Sequence, residues 1–484
     1  MRHRGPKKPA PLATKPFALA KGPESKQHST APMWSVGQKL ELEVEQLTPE
    51  GRGLARDDYG RPVFIEGALP GEQVRAQMTS VHAKYSEAIV DELRSISPER
   101  IEPRCQHYSR CGGCATQHIS AGQAVSMKQP ALAEQLKRMG NVVPKQWLPT
   151  LHREPWHYRR TAHLALRWQD ESHELALGFR ERGGQGVVDV QECPVLETRL
   201  EALISPLREL LKRYPEQKDL GHVELEAGDN GIAIKLRLVK DANEDWLASA
   251  IDWAHERDVQ LWLQMSADGA AKCVTDAPKE GGLVYTLPHQ NVRFVFTPDD
   301  FIQVNAGMNE AMVDLAMELL APKAGERVLD LFAGLGNFSL AAARAGAQVV
   351  AVEGTRSMVD RGNDNAREQG FEAVEFCKAD LSQDFSHHAW ARQGFDKVIL
   401  DPPRAGALHT IAHIAALKPK RIVYISCNPA TLARDAAALA KAGYHLLKAG
   451  AMDMFPQTAH LEAIAVFEPA PKARAQAGKR GIWR

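Results

Sequence analysis

The chain has 484 residues, with 60 Lys+Arg balanced by 60 Asp+Glu and 7 cysteines. Its length allows about two to four domains with buried cores, and its composition is that of a globular protein. No apolar run approaches the roughly 18 residues of a membrane span, no secretory signal follows the basic N-terminus, and the cysteines are too few for a disulfide scaffold, which points to a reducing cytoplasm.

Residues 1–33 hold seven Lys/Arg against one acid, Glu24, and lack periodicity, so they read as a disordered basic tail. Residues 469–484 hold five against none, and 471–484 form a second basic tail. Such tails attract phosphate polymers through counterion release, or they only aid solubility. From Trp34 the pattern changes: "QKLELEVEQL" alternates apolar and polar residues, and short strand-like runs continue to "EAIVDELRSI". Five short strands within residues 34–97 suggest a small OB-like β-barrel, a fold that often binds oligonucleotides.

Residues 98–290 read as a mixed α/β domain. It contains a cysteine cluster, a helical stretch at "MKQPALAEQLKRMG", a strand at "AHLALRW" and a hairpin turning at Gly228-Asp229-Asn230-Gly231. Residues 291–470 then alternate strands ("ERVLDLF", "AQVVAVEG", "DKVILDPP", "RIVYIS") with Ala-rich helices. That alternation predicts a doubly wound, Rossmann-like α/β domain whose ligands lie beyond the carboxyl ends of the strands.

The polar motifs fall at those ends. In "VLDLFAGLGNFSLAAA", Gly334 and Gly336 let backbone approach a ligand, and the following helix offers free N–H groups. Glu353 ends the next strand, where a carboxylate can take ribose hydroxyls. This suits a dinucleotide or S-adenosylmethionine (AdoMet), but Ser339 stands where the dinucleotide fingerprint needs its third glycine. Asp401-Pro402-Pro403 sets a stiff turn with a carboxylate toward the cleft, a mark of AdoMet-dependent methyltransferases acting on planar nitrogen or carbon targets. Arg404 follows, where exocyclic-amine methylases carry an aromatic residue.

Cys427, in "YISCNPATLARD", is either a small buried hydrophobe or a nucleophile. Pyrimidine carbon-5 is too poor a nucleophile to take a methyl group unaided; a thiolate added at carbon-6 makes it an enolate carbon. "CQHYSRCGGCATQHIS" spaces Cys105, Cys111 and Cys114 as C-x5-C-x2-C, with Cys193 remote. Four thiolates so arranged hold either zinc or an iron–sulfur cluster. Cys273 and Cys377 belong to no motif and are expected to be inert. "LHREPWHYRRTAHLALRW" interleaves Arg153, Arg159, Arg160 and Arg167 with Trp156, Tyr158 and Trp168, the means by which single-stranded RNA is gripped.

Together "DLFAGLGNFSL", "DPPRAG", "SCNPATLARD" and "HLEAIAVF" make the chain resemble the RNA uracil-C5 (5-methyluridine) methyltransferases. The resemblance implies Cys427 as the nucleophile at uracil carbon-6 and Glu462 as the base for the carbon-5 proton. It implies AdoMet contacts at Gln303, Phe332, Asn337, Glu353, Asp380 and Asp401, with Glu353 on the ribose and Asp380 near the adenine. A TRAM-like barrel and four cysteines further resemble the 23S ribosomal RNA subgroup, with a 4Fe–4S cluster on Cys105, Cys111, Cys114 and Cys193. The expected substrate is a flipped-out uracil of the 1939 type in 23S rRNA, and the expected enzyme is a cytoplasmic monomer without membrane contact or obligate protein partner. Alternatives are a sister enzyme acting on another rRNA uracil or on tRNA, and a non-catalytic RNA-binding iron–sulfur protein.

Overall fold

The computed structural model describes residues 34–48, 50–169, 174–265, 269–276 and 281–471. The tail at 1–33, and all of that at 471–484 except Pro471, lie outside the described residues.

Strands Lys39–Leu47, Gly53–Arg56, Pro62–Glu66, Gln73–Val81 and Ser86–Leu93 close into a barrel in the order first, second, third, fifth, fourth. Period-two alternation explains it: Leu42 and Val44 turn inward to meet Val63, Ile65, Val74 and Met78, while Glu41 and Glu43 face water. Glu72, fully buried, fastens the barrel to the chain that leaves it. Burial works to raise its carboxyl pKa, but bonds from Arg100 (2.6 and 2.7 Å) and from the Leu69 and Ser97 amides outweigh burial and hold it below the usual value.

The central domain holds a seven-stranded sheet, in the order Lys272–Cys273, Val259–Gln264, Gly231–Leu238, Leu220–Gly228, Thr161–Gln169, Glu174–Arg180, Val187–Asp189. Its hairpin reverses at Asp229-Asn230, with Gly228 paired to Gly231, where the sequence put the turn.

The C-terminal sheet has eight strands in the order Val374–Lys378, Gln348–Glu353, Arg327–Leu331, Lys397–Leu400, Arg421–Ser426, Glu462–Pro469, Tyr444–Met452, Gln146–Trp147. The first five run parallel, and Glu462–Pro469 is antiparallel to both neighbours. The strand order reverses beside Arg327–Leu331, the place where such sheets bind ligands.

Two boundaries drawn from sequence are corrected. The cut between residues 290 and 291 divides a single hairpin, Leu283–Leu287 with Val292–Phe296, whose Leu283, Tyr285, Phe294 and Phe296 pack into the C-terminal core. Helix Ala121–Gln135, continued by one π turn at Leu136–Gly140, also belongs to that layer. Its Ala131, Leu132 and Leu136 are buried with Leu432, Ala433 and Ala436 of helix Pro429–Lys441. Hydrophobic burial against a remote partner decided both cases, and linear periodicity does not carry that information.

Candidate functional site

Strand Arg327–Leu331 ends in a tight turn, with φ of +64° at Phe332, +58° at Gly334 and +95° at Gly336. A left-handed backbone is strained for phenylalanine, which is held there half-buried at the sheet's carboxyl edge. At Gly336 a Cβ would stand 2.6 Å from Cζ of Phe376, so a side chain is excluded twice, by φ and by contact. Gly336→Ala is expected to destabilise the domain by about 2 kcal/mol. A lower urea midpoint with unchanged m-value would register it.

The backbone amide of Gly334 donates to Glu353 Oε2 (3.1 Å) and that of Thr355 to Oε1 (2.8 Å), so the turn and the next strand end orient one carboxylate. Asn337 exchanges two bonds with Asn309 (2.7 and 3.2 Å) and accepts one from the Tyr285 hydroxyl (3.3 Å). Gln303 Nε2 donates to Asp401 Oδ2 (3.3 Å). Asp380 accepts from the hydroxyl and amide of Ser382, which hold it below the usual carboxylate value, and the Ala379 amide bonds the Glu353 carbonyl (3.1 Å). The six residues expected around AdoMet thus line the carboxyl edge of the sheet and the segment before its first helix.

Asp330 was not expected. Its carboxyl is 1% exposed and accepts from Ser339 Oγ (2.6 Å), while its other oxygen has no partner. Burial pushes it up to about 7; the Ser339 bond opposes the rise, and the charges of Asp401 and Glu353 add to it. The signal was a lone acid inside the apolar run "VLDLF".

Three further strand ends bring Asp401, Cys427 and Glu462 within electrostatic reach of one another. Burial pushes Asp401 up to about 7. Burial also pushes Glu462 up to about 8, with the Asp401 charge adding and Lys128 opposing. Cys427 is half-buried, and its thiol rises to about 11 through burial and the charges of Glu462 and Asp401, against Arg404. The resting thiol is therefore protonated, beside carboxyl groups poised near neutrality to accept protons.

Local structure fixes where the thiol lies. Asn428 caps helix Pro429–Lys441 by accepting from the Ala430 amide (3.1 Å), with Pro429 at the first helical position. Asn428 Nδ2 donates to the Arg404 carbonyl (3.1 Å), and Arg434 donates to that of Ala405 (2.9 Å). Fully buried Asp435 accepts from the Ala407 amide, the Tyr424 hydroxyl and Arg434 (2.7, 2.7 and 2.8 Å). The Asp-Pro-Pro loop is thereby bolted to the helix that Cys427 precedes. Nothing in the local sequence marked Asp435 for this.

Cys105, Cys111, Cys114 and Cys193 are free thiols. Burial raises all four, Cys114 to about 11 and Cys193 to about 12; the charges of Cys105 and Cys111 act on Cys114, and those of Cys114 and Cys105 on Cys193. Arg182 ties the loop by donating to the carbonyls of Tyr108 (3.1 Å) and Cys114 (2.5 Å), and to Glu66 of the barrel (2.7 Å). Among the described residues no group of three or more His, Cys, Asp or Glu is set to hold a metal ion.

The basic-aromatic segment divides. Arg153 and Arg167 are exposed, and Trp156 is half-buried beneath the Arg104 guanidinium (5.2 Å). Tyr158 and Arg160 do not face solvent: the tyrosine is one of the aromatics of this run that belong to the core, and the arginine departs from the expectation for RNA contact. Tyr158 is buried with its hydroxyl on the Pro456 carbonyl (3.0 Å). Arg160, 3% exposed, donates to the Gln303 carbonyl (2.8 Å) and lies over the Tyr285 ring (4.8 Å). The backbone just ahead of strand Thr161–Gln169 is held by the Arg160 amide donating to the Val304 carbonyl and the Ala227 amide donating to that of Arg160 (2.8 Å each).

Known proteins resemble this chain along most of its length. The family described as tRNA (Uracil-5-)-methyltransferase matches residues 126–468, and the TRAM domain matches 34–90. The 23S rRNA (uracil(1939)-C(5))-methyltransferase RlmD of Pseudomonas fluorescens (strain Pf0-1) is 45% identical over 440 residues, 91% of this chain and 94% of that protein. Its counterpart from Acinetobacter baylyi (strain ATCC 33305 / BD413 / ADP1) is 41% identical over 438 residues, 88% of this chain and 95% of that protein. The Pyrococcus abyssi tRNA (uracil-54, C5)-methyltransferase, solved with S-adenosyl-L-homocysteine, shares the fold at a TM-score of 0.67 and 22% identity, covering 88% of this chain and 100% of that one. The chain therefore belongs to the tRNA (Uracil-5-)-methyltransferase family, an AdoMet-dependent RNA uracil-C5 methyltransferase with a TRAM domain ahead of its catalytic fold.

Proposed function

We propose that this enzyme methylates carbon-5 of a uracil in 23S ribosomal RNA, with Cys427 as nucleophile and Glu462 as base. The observation that carries the chemistry is that Asp401, Cys427 and Glu462 stand at neighbouring ends of three paired strands, with Leu400 opposite Tyr424 and Ser426 opposite Ala463. The 23S rRNA substrate rests on the names of relatives matched along nine-tenths of the chain.

A uracil turned out of its stack meets the thiolate that remains when the Cys427 proton passes to Asp401, which returns it when the thiolate is released, so that Glu462 stays ionised for the later step. Sγ bonds to carbon-6, and the electrons of the 5,6 double bond move onto the carbonyl at position 4 as an enolate. Carbon-5 then attacks the methyl carbon of AdoMet, whose carbon–sulfur bond breaks to leave S-adenosylhomocysteine. Glu462 takes the proton from carbon-5, the double bond re-forms, and the carbon-6 to sulfur bond breaks. In this reading Glu353 holds the ribose hydroxyls of AdoMet, Asp380 lies near its adenine, and Gln303, Phe332, Asn337 and Asp401 line the rest of its pocket.

Cys105, Cys111, Cys114 and Cys193 are read as ligands of a 4Fe–4S cluster. The reading rests on the C-x5-C-x2-C spacing with a remote fourth cysteine, and on thiols whose charges act on one another. The group would order its loop for RNA. The enzyme is taken to act as a cytoplasmic monomer; no helix among the described residues is long and apolar enough to cross a membrane.

A methylation map of total RNA from a strain lacking the gene tests the substrate. Loss of one 5-methyluridine in 23S rRNA is expected. Loss confined to tRNA or to another rRNA would overturn the assignment.

A further inference from the structure

Glu462 is the first residue of its strand, paired with Met452 at the end of the neighbouring one. Between them runs a connection of nine residues, 453–461. Hairpin loops are usually about two to five residues long, so a connection of this length does little to hold the strand ends it joins. A base that must meet one proton within a fraction of an ångström needs something firmer.

That support comes from a distant helix. Lys128, on Ala121–Gln135, is 8% exposed, and its ammonium donates to Asp453 Oδ1 (2.5 Å) and to the His460 carbonyl (2.7 Å). Asp453 opens the connection and His460 stands two residues before Glu462, so one cation clips both ends. The middle is held separately. The Ala115 and Thr116 amides donate to the Gln457 carbonyl (2.8 and 3.2 Å), and Asn305 donates to that of Met454 (3.2 Å). An ammonium has three donor hydrogens and these bonds use two, leaving its charge directed at a neighbourhood that includes the Glu462 carboxyl.

We propose that Lys128 is a positioning residue that closes the 453–461 connection and sets the Glu462 carboxyl against carbon-5 of the bound uracil. This rests on the reading of Glu462 as base. The effect belongs to one step: with Lys128 absent, thiol addition and methyl transfer proceed, and the methylated adduct waits for its proton to leave.

The test uses full-length enzyme, an unsubstituted RNA substrate and labelled AdoMet, read on denaturing gels. Lys128→Met is expected to accumulate a methylated, Cys427-linked RNA adduct and to lose turnover about 100-fold, while KM values stay within about threefold. Lys128→Arg should recover much of the turnover, since it keeps a donor cation. Unchanged turnover, or a loss without adduct, overturns the proposal. If Lys128→Met fails to fold, Asp453→Asn removes the other half of the clip and is judged by the same adduct. Glu462→Gln separates the two layers: adduct there but not in Lys128→Met sinks only the role of Lys128, and no adduct there sinks the base assignment and this proposal with it.

Discussion

Cys427→Ala should lower methyl transfer by at least about 10⁴-fold, the scale on which removal of an essential nucleophile acts. Incorporation of labelled methyl into RNA measures it. The size follows from chemistry: without a sulfur at carbon-6 there is no enolate, and carbon-5 has no electron pair to offer. AdoMet affinity, measured by calorimetry, should stay nearly unchanged, because Gln303, Asn337, Glu353 and Asp380 lie on other strand ends and loops. The residue precedes a capped helix at a strand end, so removing a half-buried thiol leaves the fold in place. Loss of AdoMet binding together with activity would instead mark Cys427 as structural.

Glu462→Gln should slow turnover by about 10² to 10⁴-fold, the range for a general base, and leave methylated RNA attached to the protein. Burial holds the Glu462 carboxyl at about 8, so turnover of the native enzyme should climb from pH 6, reach half its maximum near pH 8 and level off about one unit higher as the carboxylate forms. The same shift bears on stability. A carboxyl whose folded pKa lies above its unfolded value of about 4.3 contributes stability at low pH. That contribution is lost progressively as pH rises from about 4.3 and is gone above about 8. Glu462→Gln carries no ionisation, so it should melt higher than the native enzyme at pH 8 and show little difference at pH 5. A stabilised but inactive variant is the expected signature of a strained functional group.

How much of this was legible in the sequence depended on whether the signal was local. The barrel, the two-residue hairpin at Asp229-Asn230 and the alternating strands around "VLDLF" and "VVAVE" follow from period-two patterning and turn residues, which are read within a few positions. Cys427 and Asp401 carried local marks too, a thiol and an Asp-Pro-Pro turn at strand ends. Lys128 did not. It sits in a helix whose apolar residues read like any other, and its partners Asp453 and His460 lie more than 300 residues away. Asp330 and Glu462 show the intermediate case: a lone acid in an apolar strand is visible, while its partners are not. Arg160 shows the opposite error. An arginine between aromatic residues reads as phosphate-binding, yet this one is buried against Tyr285 and the Gln303 carbonyl.

The most direct test of the covalent reading is incubation of the enzyme and AdoMet with 23S rRNA fragments carrying 5-fluorouridine at the target. Fluorine cannot leave as a proton does, so the reaction should stop after methyl transfer. The account predicts a denaturant-stable adduct whose peptide map places the RNA on Cys427 and whose mass includes the methyl group. Methylation of ordinary RNA without any adduct on the fluorinated one, or an adduct on a different cysteine, would contradict it.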